Sequence, residues 1–200
     1  MTPDLSLEAA HGGLVCGVDE VGRGPWAGPV TACAVIFHSK PPPGLNDSKK
    51  LTAKRREALV DAIRASAHVG LAEATVAEID ALNILRASHL AMVRAIAALP
   101  VQPAHALIDG NRLPSDLPCP GTAVVKGDGR SASIAAASII AKVARDDQMA
   151  KLSEEFPHYG WERNAGYGVK AHAEALREYG VTPHHRRSFK PIHNMLCEEN

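Results

Sequence analysis

Two short apolar runs, Leu14 to Val18 and Val30 to Phe37, dominate the first forty residues. Both are shorter than an ordinary globular helix and dense in valine and other apolar residues, so each predicts a buried strand. The first run ends at Asp19-Glu20. The link between the runs carries Gly22, Gly24 and Pro25, which break any regular element. Its shortness predicts an antiparallel hairpin with an elaborated turn. The stretch from Pro41 to Lys50 reads as loop, and Thr52 is placed to cap a helix running to about Ser66. His68 to Val76 predicts a third strand. Ile84 to Leu99 repeats apolar residues at helical spacing and stops at Pro100. His105 to Ile108 predicts a fourth strand ending at Asp109-Gly110, and Ala123 to Val125 a fifth ending at Lys126-Gly127-Asp128. Ser131 to about Leu152 is a long helix rich in Ala and Ile. Two shorter helices are expected, near Val169 to Tyr179 and near the C-terminus. No internal repeat is visible. This order predicts an α/β fold: a mixed five-stranded sheet, antiparallel at its start and parallel later, flanked by helices.

The expected organisation is a loose N-terminal leader over 1–12, a main domain over 13–155 and a small helical C-terminal appendage over 156–200 packed on it. At 200 residues, 46% apolar and 22% charged, the chain can bury a substantial core without staples. Aromatics are only 4%, so the core is aliphatic and any stacking site must use one of few rings. The longest apolar stretch, near Ile134 to Ala141, is far short of a bilayer crossing. Cys16, Cys33, Cys119 and Cys197 show no CxxC spacing and read as thiols of a reducing compartment. Met1 to His11 holds Asp4 and Glu8 and lacks both the basic and the apolar regions of a signal peptide, which gives a cytoplasmic expectation.

The acids fall in an informative place. Asp19 and Glu20 end the first strand, Asp109 ends the fourth, and Asp128 lies just past the fifth. One Asp-Gly or Gly-Asp step is by itself a turn former. Four acids following buried runs point instead to the crevice beyond the strand ends of an open sheet. Carboxylates gathered there repel one another, and a divalent cation is the natural compensation. All-oxygen donors suit Mg²⁺ or Mn²⁺ rather than zinc. Successive strand residues face opposite ways, so Asp19 and Glu20 can share one site only if the strand ends or bulges there. Asp146 and Asp147 are further acids, but Asp146 lies about 22 Å along the long helix from Ser131 at ~1.5 Å per residue. A structural role is expected for Asp146, as an ion pair or cap.

Net charge is zero, with 22 basic and 22 acidic residues, yet the basic residues cluster. Lys40 to Arg56 holds six Lys/Arg against one Asp, and Trp161 to His193 six against three Glu. Such clusters beside an acidic metal site suit a phosphodiester backbone; alone they are solvated basic faces. His184-His185 has no companion Cys or His at metal spacing and reads as surface or phosphate contact. Tyr167, between Gly166 and Gly168, can stand proud and stack on a base or sugar. Gly22-Arg23-Gly24 lacks the dinucleotide fingerprint, but its N–H groups can form an anion- or hydroxyl-binding turn.

Together these segments resemble ribonuclease HII. The resemblance rests on Gly17-Val18-Asp19-Glu20-Val21-Gly22-Arg23-Gly24-Pro25-Trp26-Ala27-Gly28-Pro29-Val30, Asp47-Ser48-Lys49-Lys50-Leu51 and Ile108-Asp109-Gly110-Asn111. It continues through Lys126-Gly127-Asp128, Ser133 to Val143, Gly166-Tyr167-Gly168 and His185-Arg186-Arg187-Ser188-Phe189. The matches are ordered and run from about residue 14 to 190. Val21 stands where alanine is usual in the signature, and Val169 where threonine is frequent.

The resemblance implies a ribonuclease H-like fold and an endonuclease that cuts RNA in RNA–DNA hybrids and at single ribonucleotides in duplex DNA. By motif match, Asp19, Glu20, Asp109 and Asp128 are the catalytic, metal-binding acids. Gly22, Arg23 and Gly24 contact the ribose 2′-hydroxyl, Tyr167 stacks at the junction sugar, and Lys49, Lys50 and Arg186 contact phosphates. Two Mg²⁺ or Mn²⁺ ions would act, one on water and one on the leaving 3′ oxygen, giving 5′-phosphate and 3′-hydroxyl ends. A cytoplasmic monomer without membrane association is expected. A DNA nuclease or phosphotransferase of the same architecture has no use for a 2′-hydroxyl reader. A non-catalytic nucleic-acid-binding module has no use for four acids that repel phosphate.

Overall fold

In the computed structural model, which describes residues 2–198, the first two apolar runs form β1 (Val15–Val21) and β2 (Val30–Phe37), paired antiparallel. Then come β3 (Ala67–Ala74), β4 (His105–Asp109) and β5 (Gly121–Val124). The sheet order is β3-β2-β1-β4-β5: β3 joins β2 antiparallel, and β4 and β5 add in parallel beyond β1. The predicted mixed five-stranded sheet is therefore the observed one, and β1 is its middle strand.

The helices are α1 (Ser6–Ala9), α2 (Ala53–Ser66), α3 (Val76–Leu82), α4 (Ile84–Ala97), α5 (Ala132–Glu155), α6 (Trp161–Asn164), α7 (Lys170–Tyr179) and α8 (Lys190–Glu198). Thr52 caps α2 by accepting from the Arg55 N–H, and Ser131 caps α5 by accepting from the Ile134 N–H. The predicted third strand stops early. Thr75 and Glu78 form a capping box that starts α3, and Asn83, at φ +71°, separates α3 from α4.

Period-two alternation splits the core. One face of β1 and β2 buries Cys16, Val18, Ala32 and Ala34 against Ala91, Ala95 and Ile96 of α4. The other buries Cys33 and Val35 against Ala136, Ile139 and Ile140 of α5. Alanines let α5 lie close to the sheet, and Gly17 allows closest approach: a Cβ there would fall 2.3 Å from the Ile134 nitrogen. A third cluster, around Trp161, Tyr159, Leu176 and Ile192, packs on Ala27 and on Met149 of α5. The C-terminal segment thereby reaches the turn that follows β1.

The N-terminal leader is not loose. Glu8 of α1 is buried and accepts from Ser131 and Ser133 hydroxyls and from the Ser133 N–H at 2.9 Å. A carboxylate at the N-terminus of α5 meets that helix's free N–H groups and positive dipole end, which docks the segment. Met1, Glu199 and Asn200, the ends of the expected leader and appendage, lie outside the described residues. Among the described residues no helix is long and apolar enough to cross a membrane.

Candidate active site

β1 and β4 run side by side up to the pair Val18 and Ile108, and the next residue on each strand is an aspartate, Asp19 and Asp109. Glu20 follows Asp19. The β1–β2 register continues without interruption to Val21 opposite Thr31, so the strand neither ends nor bulges at the two acids, contrary to expectation. Asp19 therefore points toward α5 and Glu20 toward α4. The two acids share one site all the same, without a bulge: Asp19 feels Glu20, and Asp109, at the end of the neighbouring β4, is in electrostatic contact with both.

Each acid is held differently. Asp19 is buried, lies within hydrogen-bonding reach of Ser138 on α5, and accepts the Glu20 N–H at 2.7 Å. Ser138 also meets Ser48 at 2.8 Å, tying the loop before α2 to the same point. Glu20 pairs with Arg23 at 3.2 Å. Asp109 Oδ1 accepts the Gly127 N–H at 2.7 Å. Asp128 sits in a single 3-10 turn, Gly127–Gly129, that follows left-handed Lys126 and leads into α5.

The electrostatics agree with a crowded acidic site. Burial raises Asp19 well above the ordinary carboxylate range, and Glu20 and Asp109 add repulsion. Burial also raises Glu20 against the pull of Arg23, and raises Asp109 against its backbone hydrogen bonds. Asp128 rises through burial, then through Asp109 and Asp47. Lys49 is the cation that counters Asp109 and Asp128. Asp47, whose carboxyl meets Asp128, was missed as a member of the site by the argument from strand ends, because it lies in an irregular loop. Its only sequence signal was its place before Ser48-Lys49-Lys50.

Among the described residues no three His, Cys, Asp or Glu side chains stand gathered as a ready metal-ligand set. The donor chemistry nonetheless fits a hard divalent cation. The four acids offer oxygen only, and three of them are disfavoured as anions by a neighbouring acid, a penalty that a cation relieves.

The turn after β1 lies beside these acids. Gly22 has φ +98°, and a Cβ there would fall 2.1 Å from Arg145 Nε, so the position demands glycine. Arg23 is exposed. Tyr167 is 46% exposed, and its ring edge would be 3.3 Å from a Cβ on Gly24, so the turn and the tyrosine border one surface. Lys49 and Lys50 are exposed in the 3-10 turn Ser48–Lys50, whose N-cap Asp47 accepts the Lys49 N–H.

Two sequence expectations fail here. Arg186 is not a phosphate contact: it is fully buried, and its guanidinium donates to the carbonyls of Gly22, Arg23, Gly28 and Pro29. His185 is not a surface group: it is buried, with Nδ1 accepting from the Thr182 N–H at 3.0 Å and Nε2 facing His172 Nε2 at 3.0 Å. Since His185 Nδ1 accepts, its Nε2–H donates to His172, whose Nδ1–H in turn donates to the Tyr167 carbonyl at 2.9 Å. His172 and Arg145 were missed altogether. Asp146 does take the expected structural role, pairing with Lys142 at 2.7 Å and Arg56 at 3.6 Å.

Sheet order, flanking helices and the acids across β1 and β4 define an α/β enzyme of the ribonuclease H-like fold. The ribonuclease H2 of Pyrococcus horikoshii OT3 superimposes with a TM-score of 0.74 at 26% identity, covering 93% of this chain and 98% of that one. A chain of the PCNA:RNase HII complex from Archaeoglobus fulgidus gives 0.69 at 26% identity, covering 88% and 95%. A match described as Ribonuclease HII runs over residues 16–192, and the chain belongs to the ribonuclease HII family. Ribonuclease HII of Ruegeria pomeroyi is 62% identical over 202 residues, which span 98% of this chain and 86% of that one. Ribonuclease HII of a Jannaschia species is 60% identical over 198 residues, spanning 98% and 100%. The chain is accordingly an enzyme with ribonuclease H activity.

Proposed function

We propose that this ribonuclease H hydrolyses the RNA strand of RNA–DNA hybrids and incises duplex DNA at single embedded ribonucleotides, leaving 5′-phosphate and 3′-hydroxyl ends. One juxtaposition carries the reading. Mutually repelling acids on β1 and β4 adjoin a glycine turn and an exposed tyrosine, so a hydrolytic centre and a sugar-recognition surface meet.

Asp19, Glu20, Asp109 and Asp128 would hold Mg²⁺ or Mn²⁺, two ions during catalysis. Those cations supply activation of water and neutralisation of charge on the leaving 3′ oxygen. The chain's own residues orient the substrate. The Gly22-Arg23-Gly24 backbone reads the 2′-hydroxyl, the chemical difference between RNA and DNA at the cut. Tyr167 stacks on the sugar at the junction. Lys49 and Lys50 contact phosphates, while Lys49 also moderates the acids beside it. The C-terminal segment, 156–198, belongs to the same working unit, because it brings Tyr167 to the turn. The enzyme acts as a cytoplasmic monomer, with no part for a membrane.

The test is cleavage of three duplexes: one ribonucleotide in DNA, all DNA, and a long RNA tract opposite DNA. Each is run in Mg²⁺, in Mn²⁺ and with a chelator. The expected result is metal-dependent cutting of the first and third only. Equal cutting of all-DNA duplex, or cutting that survives the chelator, contradicts the reading.

A further inference from the structure

Arg186 carries a positive charge in a place without solvent, and among the described residues no carboxylate pairs with it directly. Burying such a charge is costly unless dipoles replace its water. Here four carbonyls do so: Nε donates to Gly28 at 2.9 Å, one terminal nitrogen to Arg23 at 3.0 Å, and the other to Gly22 and to Pro29 at 3.1 Å. Arg145, also buried, donates to the carbonyls of Ala27, Pro29 and Ala165. The turn after β1 is thus wrapped around two guanidinium groups.

Peptide planarity gives this clamp a consequence. A carbonyl and the N–H of the next residue point in opposite directions. Drawing the Gly22 and Arg23 carbonyls onto one guanidinium therefore turns the Arg23 and Gly24 N–H groups the other way. Neither N–H has a partner among the described residues. Two successive N–H groups on one side form a concave donor pair suited to one oxygen. The Tyr167 ring edge borders Gly24, so the pair opens beside the proposed sugar platform.

We propose that Arg186 is a positioning residue for ribose recognition, presenting the Arg23 and Gly24 N–H groups together to the 2′ oxygen of the ribonucleotide. The inference rests on the proposed role of the Gly22–Gly24 turn and adds what sets its conformation. Lysine cannot replace Arg186, because a single ammonium lacks the planar fork that reaches several carbonyls at once.

The test compares wild type with Arg186→Lys on two duplexes that differ by one 2′-hydroxyl. Binding is measured in Ca²⁺, and single-turnover cleavage in Mg²⁺ at saturating protein. Arg186→Lys is expected to lower the preference for the ribonucleotide duplex about tenfold, the weight of roughly one hydrogen bond. Its affinity for all-DNA duplex stays within about twofold, because phosphate contacts set that affinity. Loss of stability with an unchanged preference and an unchanged saturated cleavage rate overturns the proposal. Amide hydrogen exchange of the wild type gives a second measurement that needs no variant to fold. The Arg23 and Gly24 amides are expected to exchange freely in the unbound protein. The ribonucleotide duplex should protect them about tenfold more than all-DNA duplex does, by the same hydrogen-bond weight. Equal protection by both overturns the proposal. Failure of the wild type to cut at a ribonucleotide sinks the proposed function itself; normal cutting with an unaltered variant preference sinks only the role of Arg186.

Discussion

The Gly127 N–H donates to Asp109 Oδ1 at 2.7 Å, so the acid that ends β4 is held by the turn that leaves β5. An asparagine at 109 keeps an oxygen able to accept that bond while losing the anion. Asp109→Asn is therefore expected to abolish cleavage and preserve the fold. Burial pushes Asp109 above its ordinary range, so its ionised form is disfavoured in the fold, and removing the charge leaves the metal-free protein at least as stable at neutral pH. Thermal unfolding and a cleavage assay check both parts. Near-normal turnover in Mg²⁺ removes Asp109 from the site.

Asp146 and Asp128 should separate cleanly. Asp146→Asn weakens partly exposed pairs with Lys142 and Arg56, at a cost of about 1 kcal/mol or less, and keeps most activity. Asp128→Asn removes an acid in contact with Asp109 and Asp47, and is expected to be severe. Equal, severe losses of activity at unchanged stability would contradict this separation.

Gly22→Ala places a methyl on a φ of +98° and against Arg145. Left-handed strain and the clash together are expected to cost about 2–4 kcal/mol, or to displace the turn. Activity should fall by more than the loss of folded protein accounts for. Denaturant unfolding beside active-site titration measures the two effects separately.

His185 gives the fold a definite response to acid. Burial, with His172 and His184 nearby, pushes its pKa down to about 3 from an ordinary 6.5. The folded protein keeps it neutral, whereas the unfolded chain takes a proton below 6.5. Its contribution is full above that pH and declines as pH falls toward about 3, by at most ~1.4 kcal/mol per pH unit. His185→Gln is expected to lower stability at pH 7 and to flatten its fall under acid. Urea midpoints across that range check the slope; an unchanged slope rules out His185 as its source.

The elements were legible where pattern and packing agree. The continuous burial of β1 and β2, the Thr52 and Ser131 caps, and the apolar spacing of α4 each had a local cause in the sequence. The three acids of β1 and β4 were legible because they follow apolar runs. Arg145, His172, His185 and Arg186 were not. Polar residues in the interior are specified by partners distant along the chain, as when Arg186 meets Gly22. The Glu8 contact with Ser133, which docks the leader, is hidden for the same reason. Asp19 and Glu20 reach a common neighbour through register with β4, which no single strand reveals.

Tyr167 should act on turnover more than on binding. Its ring is exposed beside the turn, while the salt-sensitive affinity comes from basic side chains. Stacking contributes roughly 1–3 kcal/mol, so Tyr167→Ala is expected to slow saturated single-turnover cleavage about 10- to 100-fold. Tyr167→Phe keeps the ring and is milder. Binding weakened several hundredfold (roughly 3–4 kcal/mol) at a normal saturated rate would make the tyrosine an anchor instead.

The most direct test of the central claim is product chemistry at a single ribonucleotide. Cleavage is run in ¹⁸O-labelled water with Mg²⁺, and both new ends are analysed by mass. Hydrolysis at the acidic centre, with the 2′-hydroxyl serving only as a handle, predicts one ¹⁸O in a 5′-phosphate and an unlabelled 3′-hydroxyl. A 2′,3′-cyclic phosphate with a 5′-hydroxyl would show the ribose itself attacking phosphorus, and would contradict the account.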